Sequence, residues 1–218
     1  MSQALQRFVG SPIDEWVAPF PRLCQVSMML GRVLNHHHGE HIPSETAQFG
    51  QATQLYLDVS ALIRKLTGEA ANSHDLLAIA TPLALSFNCL FALCEPYSCP
   101  SNSNPSRTPE AAEMVVQAVD GLKSVAASVV SFAEQVNAVT PLPQDLDRVS
   151  PVIMDALYSA AAQCAWVVRE SGDENSQMAL DSLRHCLRRL GTRWRNAAEY
   201  LRVLEAQEFT YAVGSAGA

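Results

Sequence analysis

The stretch that decides the fold is residues 177–207, "QMALDSLRHCLRRLGTRWRNAAEYLRVLEAQ". Its apolar residues recur at alternating steps of four and three positions, which places them along one side of an α-helix. The members of this apolar seam are Leu183, Leu187, Leu190, Trp194, Ala197, Leu201 and Leu204. We therefore predict one long helix with a packing seam, interrupted only by Gly191 as a weak helix former.

Five earlier segments show helical spacing of their apolar residues, and no alternating strand pattern of useful length occurs. Proline or a capping residue opens several of them, as helix starts often show. The segments cover residues 20–35, 44–68, 74–96, 108–136 and 150–168. We predict an all-α fold of about six long helices packed as one helical-array domain.

The third segment is the most apolar, with no charged residue from Leu76 to Leu93. This run of 18 residues is at the lower limit of the length that crosses a membrane as a helix. It also contains Pro82 and several polar residues, and no Lys or Arg flanks it closely. These features favour a buried core helix with a bend at the proline, so we expect no membrane contact.

The composition narrows the class of protein. Of the 218 residues, 48% are apolar and 17% are charged, which argues against disorder. The net charge of −7 provides no overall electrostatic field that would attract phosphate backbones.

Six cysteines are spread along the chain without a Cys-x-x-Cys pair, and no secretory signal opens it. We expect cysteines that pack as small apolar residues in a reducing compartment.

A histidine-rich stretch, "NHHHGEH" at 35–41, raises the question of a metal site. His37 and His41 have the spacing of two zinc ligands on a helix, but Gly39 and Pro43 are helix-stop signals. We interpret the stretch as a helix end, where imidazoles meet exposed carbonyls, and expect no metal or other cofactor. No glycine-rich phosphate loop, nucleophile elbow or Glu-x-x-His pair occurs, so we predict that the chain is not an enzyme and has no catalytic residues.

Four segments resemble the regulatory (middle homology) domain of fungal transcription factors with a binuclear Zn2Cys6 cluster. The four segments read "PRLCQVSMMLGRVLN", "EAAEMVVQAVDGLKSVAASVVSFAEQV", "SPVIMDALYSAAAQCAWVVRES" and "SLRHCLRRLGTRWRNAAEYLRVLE". The apolar segment at 74–96 also lies where that family has a buried helix. The last of the four is the most specific and is similar to the closing signature of that family. Its signature residues here are Leu187, Leu190, Arg193, Trp194, Ala197, Tyr200 and Leu201, to which we assign a structural role.

The resemblance implies a division of the chain. Residues 1–15 form an N-terminal tail, 16–211 the helical regulatory domain with a flexible loop at 96–109, and 212–218 a disordered tail. The zinc cluster of the family is absent, so the chain resembles a C-terminal portion, as a shortened gene product or a fragment would. We expect no direct DNA binding by this chain.

The resemblance also implies a function. It implies a nuclear regulatory or effector domain that contacts the transcription machinery or a full-length regulator, or that responds to a small-molecule effector. Two alternatives come from other classes. One is a stand-alone helical interaction protein that modulates a full-length regulator, and the other is a helical ligand binder or enzyme.

Overall fold

The computed structural model describes residues 18–38, 45–72, 75–98 and 109–216. The N-terminal helices are α1 (Pro19–His38), α2 (Glu45–Asn72), α3 (Leu76–Ser98) and α4 (Pro109–Val139). A 3₁₀ helix, η1 (Pro143–Arg148), precedes α5 (Ile153–Ser171), α6 (Glu174–Gly191) and α7 (Arg195–Ala216). No strand occurs in these ranges, so the all-α prediction is confirmed.

The described chain has two compact units, which divide between Val125 and Ala126 inside α4. The N-terminal unit contains α1 to α3 and the first half of α4. The C-terminal unit contains the second half of α4, η1 and the last three helices. The assignment of a single domain to residues 16–211 stays a prediction, and the N-terminal tail 1–15 lies outside the described residues.

In the N-terminal unit, α3 is the core helix and packs against both α1 and α2. Its side chains are buried almost all round, including Leu83, Phe87 and Leu93. The helix continues through Pro82. The uncharged run that the sequence assigns to the core is therefore buried within the protein.

A charged pair is buried in the same unit, where Arg22 of α1 meets Glu69 of α2. Two nitrogens of the guanidinium donate to the carboxylate, with Nη2 at 2.6 Å from Oε1 and Nε at 3.1 Å from Oε2. The side chains are only 3% and 7% exposed. Gln25 accepts a further hydrogen bond from Arg22 at 2.9 Å. This two-point contact offsets the free-energy cost of removing the two charges from water.

Gly121 marks a close approach of α4 to α2 and α3. A Cβ atom there would lie 2.7 Å from Cε2 of Tyr56 and 3.1 Å from Sγ of Cys94. Gly31 in α1, by contrast, has open space beside it, with nothing within 4 Å of the place that a Cβ atom would take. The two glycines occupy helix interiors but differ in the space beside them.

We expect Gly121→Ala to destabilise the protein and Gly31→Ala to stabilise it. An alanine in a helix interior gains about 1 kcal/mol over glycine, but overpacking costs about 1–3 kcal/mol. Only Gly121→Ala forces the Tyr56 ring to move. Thermal melts of the two variants measure the difference, and a stabilised Gly121→Ala protein would contradict the close packing of α4.

In the C-terminal unit, α6 packs against α5 and α7. Two adjacent residues form the turn between α5 and α6. Gly172 ends α5 in the left-handed conformation with φ of 65° and donates its N–H to the carbonyl of Val168 at 2.8 Å. Asp173 begins α6, and its carboxylate accepts from the backbone N–H of Ser176 at 2.7 Å. These hydrogen bonds hold the pair of helices in a short antiparallel connection.

The prediction of one helix over residues 177–207 is wrong at its centre, so the count of about six helices is also too low. Helix α6 ends at Gly191, and α7 begins at Arg195. Thr192 donates its hydroxyl to the carbonyl of Arg189 at 2.7 Å, and the N–H of Arg193 bonds to Leu190 three residues back. The absence of a side chain at Gly191 leaves room for Ala198, whose backbone N would lie 3.4 Å from a Cβ atom there. The seam is thus folded back on itself.

Two further boundaries differ from the prediction. Helix α3 continues through Pro96 to Ser98, so the first residues of the predicted loop are helical. The rest of that loop, residues 99–108, lies outside the described residues, and α4 begins at Pro109. The backbone of α7 extends to Ala216, beyond the predicted end of the domain at Tyr211. Residues 217–218 are not described.

Candidate functional site

Residues 35–38 of the histidine-rich stretch form the last turn of α1, which ends at His38 as predicted for a helix end. His36 is buried and only 2% exposed. Its Nδ1 lies 3.1 Å from Oε1 of Gln51 on α2, and its Nε2 lies 2.6 Å from the hydroxyl of Tyr97 on α3. Since an amide oxygen can only accept, Nδ1 donates to Gln51. His36 therefore joins three helices of the N-terminal unit.

His37 bonds to a backbone carbonyl that a proline leaves free. Pro96 has no N–H, so the carbonyl of Ala92 four residues earlier lacks its helical donor. The His37 ring donates to that carbonyl. Burial, and then the neighbouring His36, lower the pKa of His37 below its usual value. A neutral imidazole suits this role, because one ring nitrogen is enough to supply the missing donor.

No group of three His, Cys, Asp or Glu side chains with the geometry of a metal site occurs among the described residues. Glu40 and His41 from the same stretch lie outside them. The ring of Tyr97 instead contacts both histidines and Phe49, with centroids 5.8–6.1 Å apart. His36 and His37 thus have packing and hydrogen-bond partners within the protein, although Nε2 of His37 is buried without one among the described residues.

The apolar signature residues lie on the two helices of the folded-back seam. Leu187 and Leu190 are buried on α6, and Ala197 and Leu201 are buried on α7. Leu183 and Leu204, at the ends of the seam, are buried as well. The α6 and α7 helices pack against each other. The structure thus brings these residues together within one helical pair, although the connection differs from the one predicted.

Trp194 and Arg193 attach the turn between α6 and α7 to η1. The indole N–H of Trp194 donates to the carbonyl of Leu146 at 3.3 Å. Arg193 forms an ion pair with Asp147, and its guanidinium carbon lies 4.8 Å from the centre of the Trp194 ring. Trp194 is half-buried, whereas the Arg193 side chain is 51% exposed. The Trp194 side chain therefore packs partly in the core and also makes one hydrogen bond, while the guanidinium of Arg193 lies over its ring.

Tyr200 connects α7 to α5. Its ring stacks on that of Tyr158 with centroids 4.7 Å apart, and its hydroxyl donates to the carboxylate of Asp155. This hydrogen bond, followed by burial, raises the pKa of Tyr200 to about 12. The hydroxyl stays protonated at neutral pH and acts as a hydrogen-bond donor. All seven signature residues thus make contacts that hold the C-terminal unit together.

Arg189 has a structural role that its place in the sequence does not reveal. Its guanidinium donates to the side chain of Asn137 at 2.8 Å, to the backbone carbonyl of Asn137 at 3.3 Å, and to the carbonyl of Thr140. These carbonyls belong to the last turn of α4 and the residue that follows, where no backbone N–H of the helix is left to bond to them. In the sequence, Arg189 is recognisable only as an arginine next to the apolar seam. An arginine in that position is equally typical of a solvent-exposed helix face.

We expect Arg189→Ala to destabilise the protein by about 1.5–3 kcal/mol, because carbonyls lose a charged donor. Arg188→Ala is the matched control, since Arg188 is exposed on the same helix. Its loss is expected to cost under about 1 kcal/mol, as for other exposed charges. Urea unfolding of the two variants decides between them. Equal costs would show that Arg189 does not hold the end of α4.

The described cysteines are free, and all but Cys24 are buried. Burial raises the pKa of Cys89, Cys94 and Cys186 to about 12 and that of Cys164 to about 11. Thiols with such values are protonated at neutral pH and react poorly. These four side chains behave as the small apolar residues that the composition predicts. Cys99 lies outside the described residues.

Within the described ranges, two helices are long and apolar enough to cross a membrane. These are α3 and α4, with 67% and 39% of their apolar windows buried inside the protein. Core helices of soluble proteins also meet this criterion. Helices of this kind are therefore weak grounds for a membrane location.

The comparisons with known proteins add no relative. No family model matches the chain, and neither a curated protein nor a solved structure matches it.

Proposed function

We propose that this chain is the regulatory domain of a transcription regulator and acts through protein contacts, without contacting DNA itself. The sequence resemblance to the fungal regulatory domain supports the proposal. The signature residues that carry this resemblance lie in one packed assembly of α5, α6, α7 and η1. A sequence signature of a fold consists largely of residues that pack its core, and these residues have that role.

An exposed apolar pair in the C-terminal unit carries the protein-contact part of the proposal. Trp166 on α5 is 50% exposed, and Met178 on α6 is 65% exposed. Both lie within six residues of the turn at Gly172 and Asp173, so they lie toward the same end of the helical pair. Tryptophan and methionine are enriched in protein interfaces, and a tryptophan is a frequent centre of binding energy.

A transcription reporter tests this proposal. The chain, fused to a heterologous DNA-binding module, is expected to change reporter output several-fold relative to the module alone. Trp166→Ser with Met178→Ser should remove that effect without lowering the thermal midpoint, because both side chains are exposed. Leu57→Ser, at a residue 52% exposed on α2, is the control and should keep the effect.

Two results would contradict the proposal. A fused chain that leaves the reporter unchanged would remove the regulatory role. Sequence-selective DNA binding by the unfused chain in a mobility shift at physiological salt would contradict action through protein contacts alone. The net charge of −7 leads us to expect no such complex.

A further inference from the structure

A charged groove lies between α6 and α7 in the C-terminal unit. Its volume is about 540 Å³, which is within the range of small-molecule sites. Every residue that lines it is titratable: Asp181, Arg184, His185 and Arg188 on α6, and Glu205 and Glu208 on α7. A groove of this composition selects a ligand mainly by its charges.

One of its arginines is already paired. Arg184 forms an ion pair with Glu208 across the groove and lies 3.7 Å from Asp181. Its Nε atom is nevertheless buried without a hydrogen-bond partner among the described residues. A buried donor without an acceptor is unfavourable, although the other two nitrogens of the guanidinium are paired with Asp181 and Glu208.

The charges that remain are opposite on the two walls. Arg188 on α6 and Glu205 on α7 line the groove, and neither forms an ion pair within the part of the chain that the structure describes. His185 adds a further polar group to the α6 wall. A purely anionic ligand would meet Glu205, and a purely cationic one would meet Arg188. Only a ligand with both charges has a partner for each.

We propose that this groove binds a small zwitterion that carries a carboxylate and an ammonium group. The carboxylate accepts hydrogen bonds from Arg188, as arginine–carboxylate contacts do. The ammonium donates to Glu205. The binding does not rest on the proposed regulatory function, because it is measured on the chain alone and without a reporter.

A series of ω-amino acids of increasing length tests the proposal and measures the spacing of the charges. Glycine, 4-aminobutyrate and 6-aminohexanoate are titrated into the full chain, and the NMR shifts of the arginine Nε–H groups are followed. At least one length is expected to bind saturably. Its affinity should exceed that of hexanoate and of hexylamine, which carry one charge each, by about tenfold or more.

Variants then locate the site. Arg188→Gln and Glu205→Gln should each weaken binding of the best amino acid by about tenfold, since each removes one charged contact. Arg195→Gln is the control, because its side chain is 92% exposed and pairs with Glu199 rather than lining the groove. The proposal is overturned if no length binds, if hexanoate or hexylamine binds equally well, or if Arg195→Gln weakens binding as much as the groove variants.

Discussion

Glu69→Gln is expected to lower the free energy of unfolding by about 3–5 kcal/mol, because it removes the buried carboxylate charge that two nitrogens of the Arg22 guanidinium contact. The two side chains are 3% and 7% exposed, so water cannot replace the lost contact. The amide of glutamine still accepts one hydrogen bond but carries no charge. Urea unfolding of the full chain measures the effect, which is a large share of the ~5–15 kcal/mol that stabilises a typical domain.

A double variant separates the loss of a pair from the loss of one partner. Arg22→Met with Glu69→Met removes both charges and fills similar volume, so its stability should be close to that of the unchanged protein or higher. Lys65 lies 3.8 Å from Glu69, but its side chain is 22% exposed and can turn to solvent. A cost below about 1 kcal/mol for Glu69→Gln would mean that the pair is solvated in solution, as exposed pairs are.

Leu187→Ala is expected to cost about 2–5 kcal/mol, since it deletes a fully buried side chain from the contact of α6 with its neighbours. Trp194→Ala removes a half-buried ring and its hydrogen bond to Leu146. Together the two changes approach the whole stability of a typical domain, ~5–15 kcal/mol, and should unfold much of the population. Circular dichroism at ordinary temperature and thermal melts follow the loss of helix.

Met178→Ala is the control for this experiment, because Met178 lies on the same helix but is 65% exposed. Surface substitutions of this kind usually change stability by less than about 0.5 kcal/mol. If Leu187→Ala proves no more damaging than Met178→Ala, the seam does not hold the C-terminal unit together.

The sequence predicts the helices well because their apolar residues have helical spacing or, in α3, form an uncharged run long enough for a buried helix. It fails at the break after Gly191, since the alternating steps of the seam continue through Thr192 and Arg193 as if the helix did. The structure shows the turn through the hydrogen bonds of Thr192 and Arg193 to the end of α6 and through the approach of Ala198 to Gly191. Periodicity records which residues are buried, and both a straight helix and a folded-back pair bury the same ones.

The polar contacts could not be predicted for a different reason. Arg22 and Glu69 lie 47 positions apart, and His36 bonds to residues 15 and 61 positions away. A charged residue in a helical pattern is usually exposed, so nothing local marks Arg22 or Arg189 as buried or bonded. Such pairs depend on how the helices pack, which one helix's own sequence does not encode.

The turn at Gly172 and Asp173 also bears on the order in which the protein folds. Gly172 provides a hydrogen-bond donor for a backbone carbonyl at the end of α5, and Asp173 provides an acceptor for a backbone N–H at the start of α6. The connection between the two helices is therefore a loop of minimal length. Short loops cost little entropy to close, and contacts between chain neighbours form fast. We therefore expect the α5–α6 hairpin to be structured in the folding transition state, with φ-values of about 0.5–0.8 for substitutions such as Ile153→Val and Leu183→Ala.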